Sequence, residues 1–317
     1  MRRAASGLAG LFWAAAAVAQ PAVAPQPAPP KGDAAYAAYQ RGRYLTALEL
    51  ARPQAEAGNA AAMTLMGEIY AQGNGVPQDL ASAQKWYEAA AKLGDADAMF
   101  ALGSLKMPQR TKPGDDKPAD TLADKQAAVA LFRQAAAKGN VAAAYNLGML
   151  YLEGDVVARE PSVAADWFRK AAELDQEDAL YALASLYADG NGVTKDAGER
   201  ARLLQRAAML GHVVATVEYA ILVFNGLGVP KDEAAAALLF KKAALAGNAI
   251  AQNRLARILS AGRGLPQDKV AAATWHLAAK GQGLNDPVLE RMLDELSPQD
   301  RAAAEARLRK WRGEGAS

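Results

Sequence analysis

The two histidines of the chain, His212 and His276, are the first candidates for acid–base chemistry or metal binding. Histidine exchanges a proton near neutral pH more readily than other side chains, and its neutral ring is a common zinc ligand. The two residues fall at unrelated places, one at a predicted helix start and the other beside Trp275. Neither has matched carboxylates nearby, and a zinc site needs three or four converging ligands. We therefore interpret both as surface or packing residues, and we expect no metal or other cofactor.

Acidic pairs and the cysteine content narrow the possible chemistry further. Asp115-Asp116 lies in a predicted loop and Glu177-Asp178 in a first helical turn, where solvation and the helix dipole account for the charges. The chain has no cysteine, which excludes disulfides, thiolate metal sites and cysteine nucleophiles. It carries 36 basic and 34 acidic residues, so no long-range attraction to nucleic acid is expected. These features argue against catalysis and against nucleic-acid binding.

A glycine-rich turn is the remaining candidate for ligand binding. YAQGNGVPQD begins at Tyr70 and returns as YADGNGVTKD at Tyr187, FNGLGVPKD at Phe224 and SAGRGLPQD at Ser260. A phosphate loop would need Gly-Lys-Ser/Thr at the head of a helix that follows a strand, and no strand pattern precedes any copy. Glycine does, however, adopt the positive φ angles of a tight turn that ends a helix. The motif is therefore predicted to separate two helices.

The turn recurs because the chain is an array of repeats. Frames begin at Gly58, Gly94, Gly139, Asp175, Gly211 and Gly247, spaced 36, 45, 36, 36 and 36 residues apart. Periods of this length are typical of solenoids. The first helix of each frame has a small residue at its centre, which lets a neighbouring helix come close: Gly67, Gly103, Gly148, Ala184, Ala220 and Ala256. An aspartate caps the second helix at Asp79, Asp196, Asp232 and Asp268. Trp86, Trp167 and Trp275 share one position of the second helix and are interpreted as packing residues.

The first frame carries a resemblance to a known repeat. Its order of Ala62, Met66-Gly67, Tyr70, Gly73-Asn74-Gly75-Val76, Asp79, Ala83, Trp86, Ala90-Ala91 and then Gly94 resembles the Sel1-like repeat, a relative of the tetratricopeptide repeat. The resemblance covers six copies: 58–93, 94–138, 139–174, 175–210, 211–246 and 247–283. The second copy lacks the glycine turn and has extra residues within PQRTKPGDDKPAD, near 108–120. The resemblance implies an all-α solenoid of antiparallel helix hairpins, a right-handed superhelix whose first helices line a concave wall.

The segments that flank the array are predicted to have other roles. Residues 1–19 combine two arginines, an apolar run and Ala17-Val18-Ala19, which is the pattern of a cleaved signal peptide. The alternative is an uncleaved anchor, but about a dozen apolar residues are few against the roughly 20 that span a bilayer. Residues 20–33 form a Pro/Ala-rich linker, 34–57 a degenerate repeat or capping helix pair, and 284–317 two capping helices broken at Ser297-Pro298. We expect a periplasmic or secreted protein without stable membrane insertion after cleavage.

Helical spacing also predicts which residues face the groove. In the third copy the buried stripe carries Leu147, Gly148 and Tyr151, and the residues off this stripe, with their counterparts in other copies, face the groove. They are Phe100, Ala142, Tyr145, Met149, Leu152, Glu153, Asp178, Tyr181, Ser185, Asp189, Val214, Val217, Ile221, Phe224 and Asn225. An apolar wall of this kind predicts a partner site, and the alternative is that the fold covers it as ordinary core. We expect Glu153, Asp178 and Asp189 close together at its edge, a combination suited to an apolar segment that carries a positive charge.

Two functions fit these features. The first is an exported scaffold that holds a peptide or protein segment in the groove and serves an envelope signalling or assembly system, as the resemblance implies. The second is a cell-envelope hydrolase acting on peptidoglycan or polysaccharide. Catalysis would need a general acid and a general base in distinct environments, whereas a binding groove needs only the apolar wall and its charged edge. The sequence favours the non-enzymatic scaffold.

Overall fold

A computed structural model describes residues 33–107 and 122–314, and within these ranges it contains sixteen helices and no strand. The helices are α1 Ala34–Gln40, α2 Tyr44–Glu56, α3 Ala60–Gln72, α4 Leu80–Lys92, α5 Ala96–Lys106, α6 Leu122–Ala137, α7 Val141–Glu153, α8 Pro161–Glu173, α9 Glu177–Asp189, α10 Ala197–Leu210, α11 Val213–Asn225, α12 Glu233–Leu245, α13 Ala249–Ala261, α14 Lys269–Lys280, α15 Pro287–Asp294 and α16 Pro298–Arg312. None of these helices is both long and apolar enough to cross a bilayer. The predicted signal peptide, nearly all of the predicted linker, and the insertion with Asp115-Asp116 lie outside the described residues.

Helices that follow one another in the chain pack against one another. The chain divides into two compact units, one up to Ala143 and one from Ala144. In the first unit each helix from α1 to α5 contacts the next one. In the second unit the same holds from α8 to α14, and α16 packs on α14. Packing of helix hairpins onto their sequence neighbours is the organisation of a solenoid. The predicted all-α solenoid of helix hairpins is thereby confirmed.

The first glycine of each Gly-x-Gly turn ends a first helix. Gly73, Gly190, Gly226 and Gly262 are the C-caps of α3, α9, α11 and α13, with φ angles of 69°, 70°, 72° and 71°. This left-handed conformation is easy only for glycine, because it has no β-carbon. The predicted helix-ending role is confirmed.

The aspartate that follows each turn starts the second helix. Asp79, Asp196, Asp232 and Asp268 each accept a hydrogen bond from the backbone N–H three residues later, at 3.0, 3.0, 2.9 and 2.8 Å. Such a bond satisfies one of the amide groups that the first helical turn leaves unpaired. The predicted N-caps are confirmed.

The second glycine of the turn joins one repeat to the preceding one at Gly192, Gly228 and Gly264, which the sequence does not reveal. A β-carbon at Gly192 would lie 2.3 Å from the carbonyl carbon of Pro161, the first residue of α8. A β-carbon at Gly228 would lie 2.2 Å from the carbonyl oxygen of Ala197, the first residue of α10. These two turns, and the one with Gly264, thus rest directly on the backbone at the start of the second helix of the previous repeat. Only glycine leaves room for that contact.

The small residue at the centre of the first helix lets a ring of the second helix lie against it. A β-carbon at Gly148 would lie 2.5 Å from Cε1 of Phe168, and one at Gly67 would lie 2.5 Å from Cε1 of Tyr87. The rings of Phe168 and Tyr87 are 0% and 2% exposed. The predicted close approach is confirmed, and its partner is an aromatic ring of the same hairpin.

The tryptophans pack less deeply than their shared position predicted. Trp86, Trp167 and Trp275 are half-buried, and the residue after each of them is the buried one: Tyr87, Phe168 and His276. The ammonium group of Lys170 lies 4.0 Å from the ring centroid of Trp167, so one face of this ring contacts a charged side chain and not the apolar core. The core position of the second helix is therefore one residue later than the sequence pattern indicated.

Candidate partner-binding face

His212 has a structural role at the start of α11. Its Nδ1 accepts a hydrogen bond from the backbone N–H of Ala215 at 2.9 Å, so the ring is the N-cap of the helix. The same ring stacks on Tyr181 with centroids 4.8 Å apart. Its Nε2 lies 3.5 Å from Oδ1 of Asp178, and the hydrogen bond from His212 holds the pKa of Asp178 below its usual value. The lone pair of Nδ1, which a general base or a metal ligand would use, already accepts this capping hydrogen bond.

His276 fills a core position of α14. It is 0% exposed and stands where the other repeats place Tyr87, Phe132, Phe168, Leu204 and Phe240. Its Nε2 lies 3.0 Å from Oε1 of Glu290. Within the described part of the chain, no group of three or more histidine, aspartate or glutamate side chains could hold a metal ion. Both histidines therefore belong to the architecture.

Most residues of the predicted groove lie at the surface of the first helices. Within residues 144–314, the half-buried or exposed ones are Tyr145, Met149, Leu152 and Glu153 on α7, Asp178, Tyr181, Ser185 and Asp189 on α9, and Val214, Ile221, Phe224 and Asn225 on α11. We call this set, with the surface of α13 beside it, the first-helix face. The half-buried members expose part of their surface to a partner, while the rest of each side chain is packed against neighbouring residues.

Three other predicted groove residues have different surroundings. Val217 is 3% exposed and belongs to a core cluster with Phe240 and Leu255, so its prediction as a groove residue is wrong. Its repeat position holds tyrosine in α7 and α9, and a short valine side chain does not extend past the neighbouring helices. Ala142 is also buried, at 8% exposed. Phe100 belongs to the unit before Ala144, where its ring centroid lies 5.5 Å from that of Phe132.

The three predicted edge carboxylates do not form one cluster. Asp178 lies in the first turn of α9 and Asp189 is its last residue. Eleven residues of helix separate them by about 16 Å along the axis. Glu153 is the last residue of α7. Burial raises the pKa of Tyr145, and the charges of Asp178 and Glu153 raise it further. The expected acidic edge is thus spread over both ends of the helices.

A polar network on the face involves an acid that the sequence analysis missed. The hydroxyl of Tyr181 donates to Oε1 of Glu218 at 2.8 Å, and Nη2 of Arg200 donates to Oε2 of Glu218 at 2.8 Å. These bonds connect α9, α10 and α11. Burial raises the pKa of Tyr181, and the Glu218 charge adds to that effect. Tyr181 is therefore held in place by its hydroxyl, which reduces the conformational freedom it would lose on binding a partner.

A cavity of about 360 Å³ opens on the same face between α11, α13 and α15. Its lining residues are Ile221, Phe224, Asn225, Phe240, Arg254, Arg257, Ile258, Ser260, Ala261, Arg263, Val288 and Leu289. Phe240 and Leu289, at 2% and 0% exposed, form an apolar floor. The described lining residues include three arginines and no carboxylate. The cavity's charge is therefore opposite in sign to the one expected for the groove.

Two of the arginines are fixed by carboxylates that lie outside the cavity lining. Arg257 donates from Nε and Nη2 to Asp286, with Nη2 to Oδ1 at 2.9 Å. Arg263 donates from Nε and Nη2 to Glu233, with Nε to Oε2 at 3.2 Å. The guanidinium carbon of Arg263 lies 4.7 Å from the ring centroid of Phe224. Paired and stacked guanidinium groups of this kind are held in one orientation.

Asp286 is the charged group that fixes both Arg257 and the start of α15. Its side chain is 4% exposed, and it accepts hydrogen bonds from Arg257, from Nδ2 of Asn253 at 2.9 Å and from the backbone N–H of Val288 at 3.0 Å. Burial by itself raises the pKa of this carboxyl, but these hydrogen bonds outweigh burial and lower the pKa to about 2. The carboxylate is therefore ionised throughout the neutral and mildly acidic range.

We expect the Asp286 carboxylate to make stability depend on acid pH. Because its pKa is lower in the folded chain than the value of about 3.9 in an unfolded chain, its contribution is present above about pH 4 and is lost as pH falls toward 2. The difference in free energy of unfolding between wild type and Asp286→Asn should therefore shrink between pH 5 and about 2. Urea titrations across that range measure it. Asp294→Asn, at a 73% exposed side chain, is the matched control, and a difference that stayed constant for Asp286→Asn would contradict the assignment.

The arginines could have been found from the sequence by following the repeat one copy further. Arg257 occupies in the sixth copy the position that Ile221 occupies in the fifth, and Arg254 corresponds in the same way to Glu218. Arg263 stands between the glycines of SAGRGLPQD. The predicted groove ended at the fifth copy, so the change in charge along the face was missed.

Comparison with known proteins agrees with the repeat architecture. A family model described as Sel1 repeat matches residues 60–95, 96–140, 141–176, 177–212, 213–248 and 249–284. These segments begin two residues after the frames read from the sequence and keep the same spacing. No functionally curated protein matches the chain.

Two solved structures resemble the chain over most of its length. One is a protective antigen of uropathogenic Escherichia coli strains, described as displaying an SLR fold, with 28% identity and a TM-score of 0.72 over 90% of this chain and 62% of that one. The other is a Sel1 repeat protein from Oxalobacter formigenes, with 31% identity and a TM-score of 0.65 over 82% of this chain and 74% of that one. The chain spans less than two thirds of the length of the E. coli protein.

Proposed function

Because the chain belongs to the Sel1 repeat family, we propose that it is an exported scaffold that holds a segment of a partner protein on its first-helix face. Sel1 repeat proteins are generally protein-interaction scaffolds and are typically not enzymes. The observation that carries the proposal is the cavity between α11, α13 and α15, where half-buried Ile221 and Phe224 stand beside a buried apolar floor. Apolar anchors in a recess with charged groups around it are typical of the centre of a protein interface.

A hydrolase acting on peptidoglycan or polysaccharide is the alternative function. It would need a proton donor and a proton acceptor positioned on either side of a substrate bond. One candidate pair beside the first-helix face is His212 with Asp178, and the Nδ1 of His212 is already used to cap α11. Glu218 is likewise engaged by Tyr181 and Arg200. These contacts support the scaffold over the enzyme.

The place of action is proposed from the N-terminal segment. Arg2 and Arg3, the apolar run after them and Ala17-Val18-Ala19 support export and cleavage near Ala19. The proposed role in an envelope signalling or assembly system comes from the resemblance to the Sel1-like family. The partner is therefore to be sought in envelope extract, with the mature chain as bait.

Truncation of one aliphatic side chain tests the scaffold function. Ile221→Ala removes apolar area from the cavity wall, and Leu238→Ala removes the same number of atoms from α12, where Leu238 is 59% exposed and outside the cavity. An interface anchor costs about 2 kcal/mol when truncated, or about thirtyfold in affinity. We expect wild type and Leu238→Ala to capture the same envelope protein and Ile221→Ala to lose it.

The captured protein is then titrated against all three chains by calorimetry. Circular dichroism at the binding temperature verifies that each variant is folded. If Ile221→Ala and wild type are both folded and bind with equal affinity, the first-helix face is not the binding surface.

A further inference from the structure

We propose that the cavity between α11, α13 and α15 binds an acidic segment of the partner, an extended stretch in which an apolar side chain neighbours aspartate or glutamate. The inference rests on the proposed scaffold function and names the chemistry of what the scaffold holds. It replaces the expectation of a positively charged segment, which was drawn from the acids of α7 and α9.

The balance of charge at the cavity favours an anionic occupant. Asp286 pairs with Arg257, Glu233 pairs with Arg263 and also with Lys231, and neither carboxylate is part of the lining. Arg254 is exposed and forms no ion pair with the residues that the structure describes. At least one full positive charge therefore remains uncompensated at the cavity, because Glu233 is shared between Arg263 and Lys231. A carboxylate is the protein group that such a site attracts, whereas a lysine or arginine of a partner would be repelled.

The arginines keep donor groups for a ligand even where they are paired. Both internal pairs use Nε and Nη2, so the Nη1 amino group of Arg257 and that of Arg263 lie outside these pairs. A hydrogen bond between guanidinium and carboxylate is roughly twice as strong as one between neutral groups. Because the internal pairs and the Phe224 ring already orient these side chains, little conformational entropy remains to be lost when a carboxylate binds.

The apolar part of the cavity requires an apolar neighbour for the acid. Phe240 and Leu289 close the floor, and Val288, 50% exposed, stands at the rim with Ile221 and Phe224. A volume of about 360 Å³ accommodates a large aliphatic or aromatic side chain. Arg254 and Arg257 are three residues apart on α13, a rise of about 4.5 Å, and Arg263 follows the end of that helix. Cationic groups spread in this way suit an extended segment better than a single carboxylate.

Three matched peptides and the full mature chain test the inference. The peptides are short, acetylated and amidated, with a central leucine, and they differ only in carrying glutamate, glutamine or lysine at the positions on both sides of it. Fluorescence anisotropy measures their dissociation constants. We expect the glutamate peptide to bind about tenfold or more tightly than the glutamine and lysine peptides, with an affinity that falls as salt rises.

Two arginine variants locate the site. Arg254→Gln should weaken the glutamate peptide about tenfold, while Arg202→Gln should leave its affinity unchanged. Arg202 is a suitable control because it undergoes the same change in charge, has a 59% exposed side chain and pairs with Glu199 on α10 away from the cavity. An equal effect of the two variants would mean that only net charge matters, and this would overturn the site.

Other outcomes overturn the inference while leaving the scaffold function intact. They are equal or tighter binding of the lysine peptide, binding of the glutamine peptide as tight as that of the glutamate peptide, and no binding of any peptide. In each case capture of the envelope partner still depends on Ile221 if the scaffold function is correct. If Ile221→Ala captures the partner as well as wild type does, the scaffold function on this face is contradicted, whatever the peptides show.

Discussion

Alanine at Gly192 is expected to cost about 3 kcal/mol or more of the free energy of unfolding, and alanine at Gly190 only about 1 to 2 kcal/mol. The two glycines belong to one turn and have nearly the same backbone conformation, with φ of 76° and 70°. Both substitutions therefore carry the same strain of a left-handed alanine. The difference is that a β-carbon at Gly192 would lie 2.3 Å from the backbone of Pro161, whereas one at Gly190 would lie 3.4 Å from Cβ of Lys195.

Urea titration of the two variants measures this difference. The backbone at Pro161 cannot move aside alone, because it begins α8 and carries that helix with it. The added atom should therefore loosen the joint between the third and fourth repeats. If both variants lost the same amount of stability, the second glycine would serve only its own turn, and the proposed joint between repeats would be wrong.

Leucine at Gly148 is expected to cost about 3 kcal/mol, the upper part of the usual range for overpacking. The first added atom would already lie 2.5 Å from Cε1 and 2.6 Å from Cδ1 of Phe168. The ring of Phe168 is 0% exposed, so it can yield only by moving α7 and α8 apart. Because each hairpin of a solenoid is supported only by its neighbours, no distant contact compensates for this movement.

Gly198→Leu is the matched control for this substitution. Gly198 lies in the first turn of α10, and its β-carbon would meet only Asp196 Oδ1 at 3.4 Å and the carbonyl oxygen of Gly228 at 4.0 Å. Leucine is a better helix former than glycine by up to about 1 kcal/mol, so this variant should be as stable as wild type or slightly more stable. Equal denaturation midpoints for Gly148→Leu and wild type would contradict the close contact of ring and helix.

The elements of the repeat could be predicted because their signals are local. Gly73 and Asp79 show why: the left-handed angle that ends α3 and the carboxylate that caps α4 depend on residues within one turn of the chain. The central glycine of the first helix was also predictable, since the period aligns Gly67, Gly103 and Gly148. The buried ring of the second helix was placed one residue too early, because Trp86 is the larger side chain and Tyr87 faces the core.

The candidate site was only partly predictable because burial and pairing depend on neighbouring repeats. Tyr145, Tyr181 and Val217 share one repeat position, yet Val217 is covered because its side chain is too short to reach the surface. Asp178 and Asp189 were expected together, but the length of α9 keeps them apart. A periodic pattern gives the direction of a side chain and contains no information about what the next hairpin places over it.

What the sequence by itself determined is the architecture: the period, the two helices of each repeat, the glycine turns and the aspartate caps, each set by the backbone preferences of a few adjacent residues. What only the tertiary structure decided is the character of the surface. Asp286 and Glu233 turn toward Arg257 and Arg263 across 29 and 30 residues of chain, and Arg254 receives no such partner among the described residues. Side chains from separate repeats meet only when the hairpins stack. The charge of the cavity is therefore a property of the folded chain, because long-range ion pairs determine which arginines remain available to a partner.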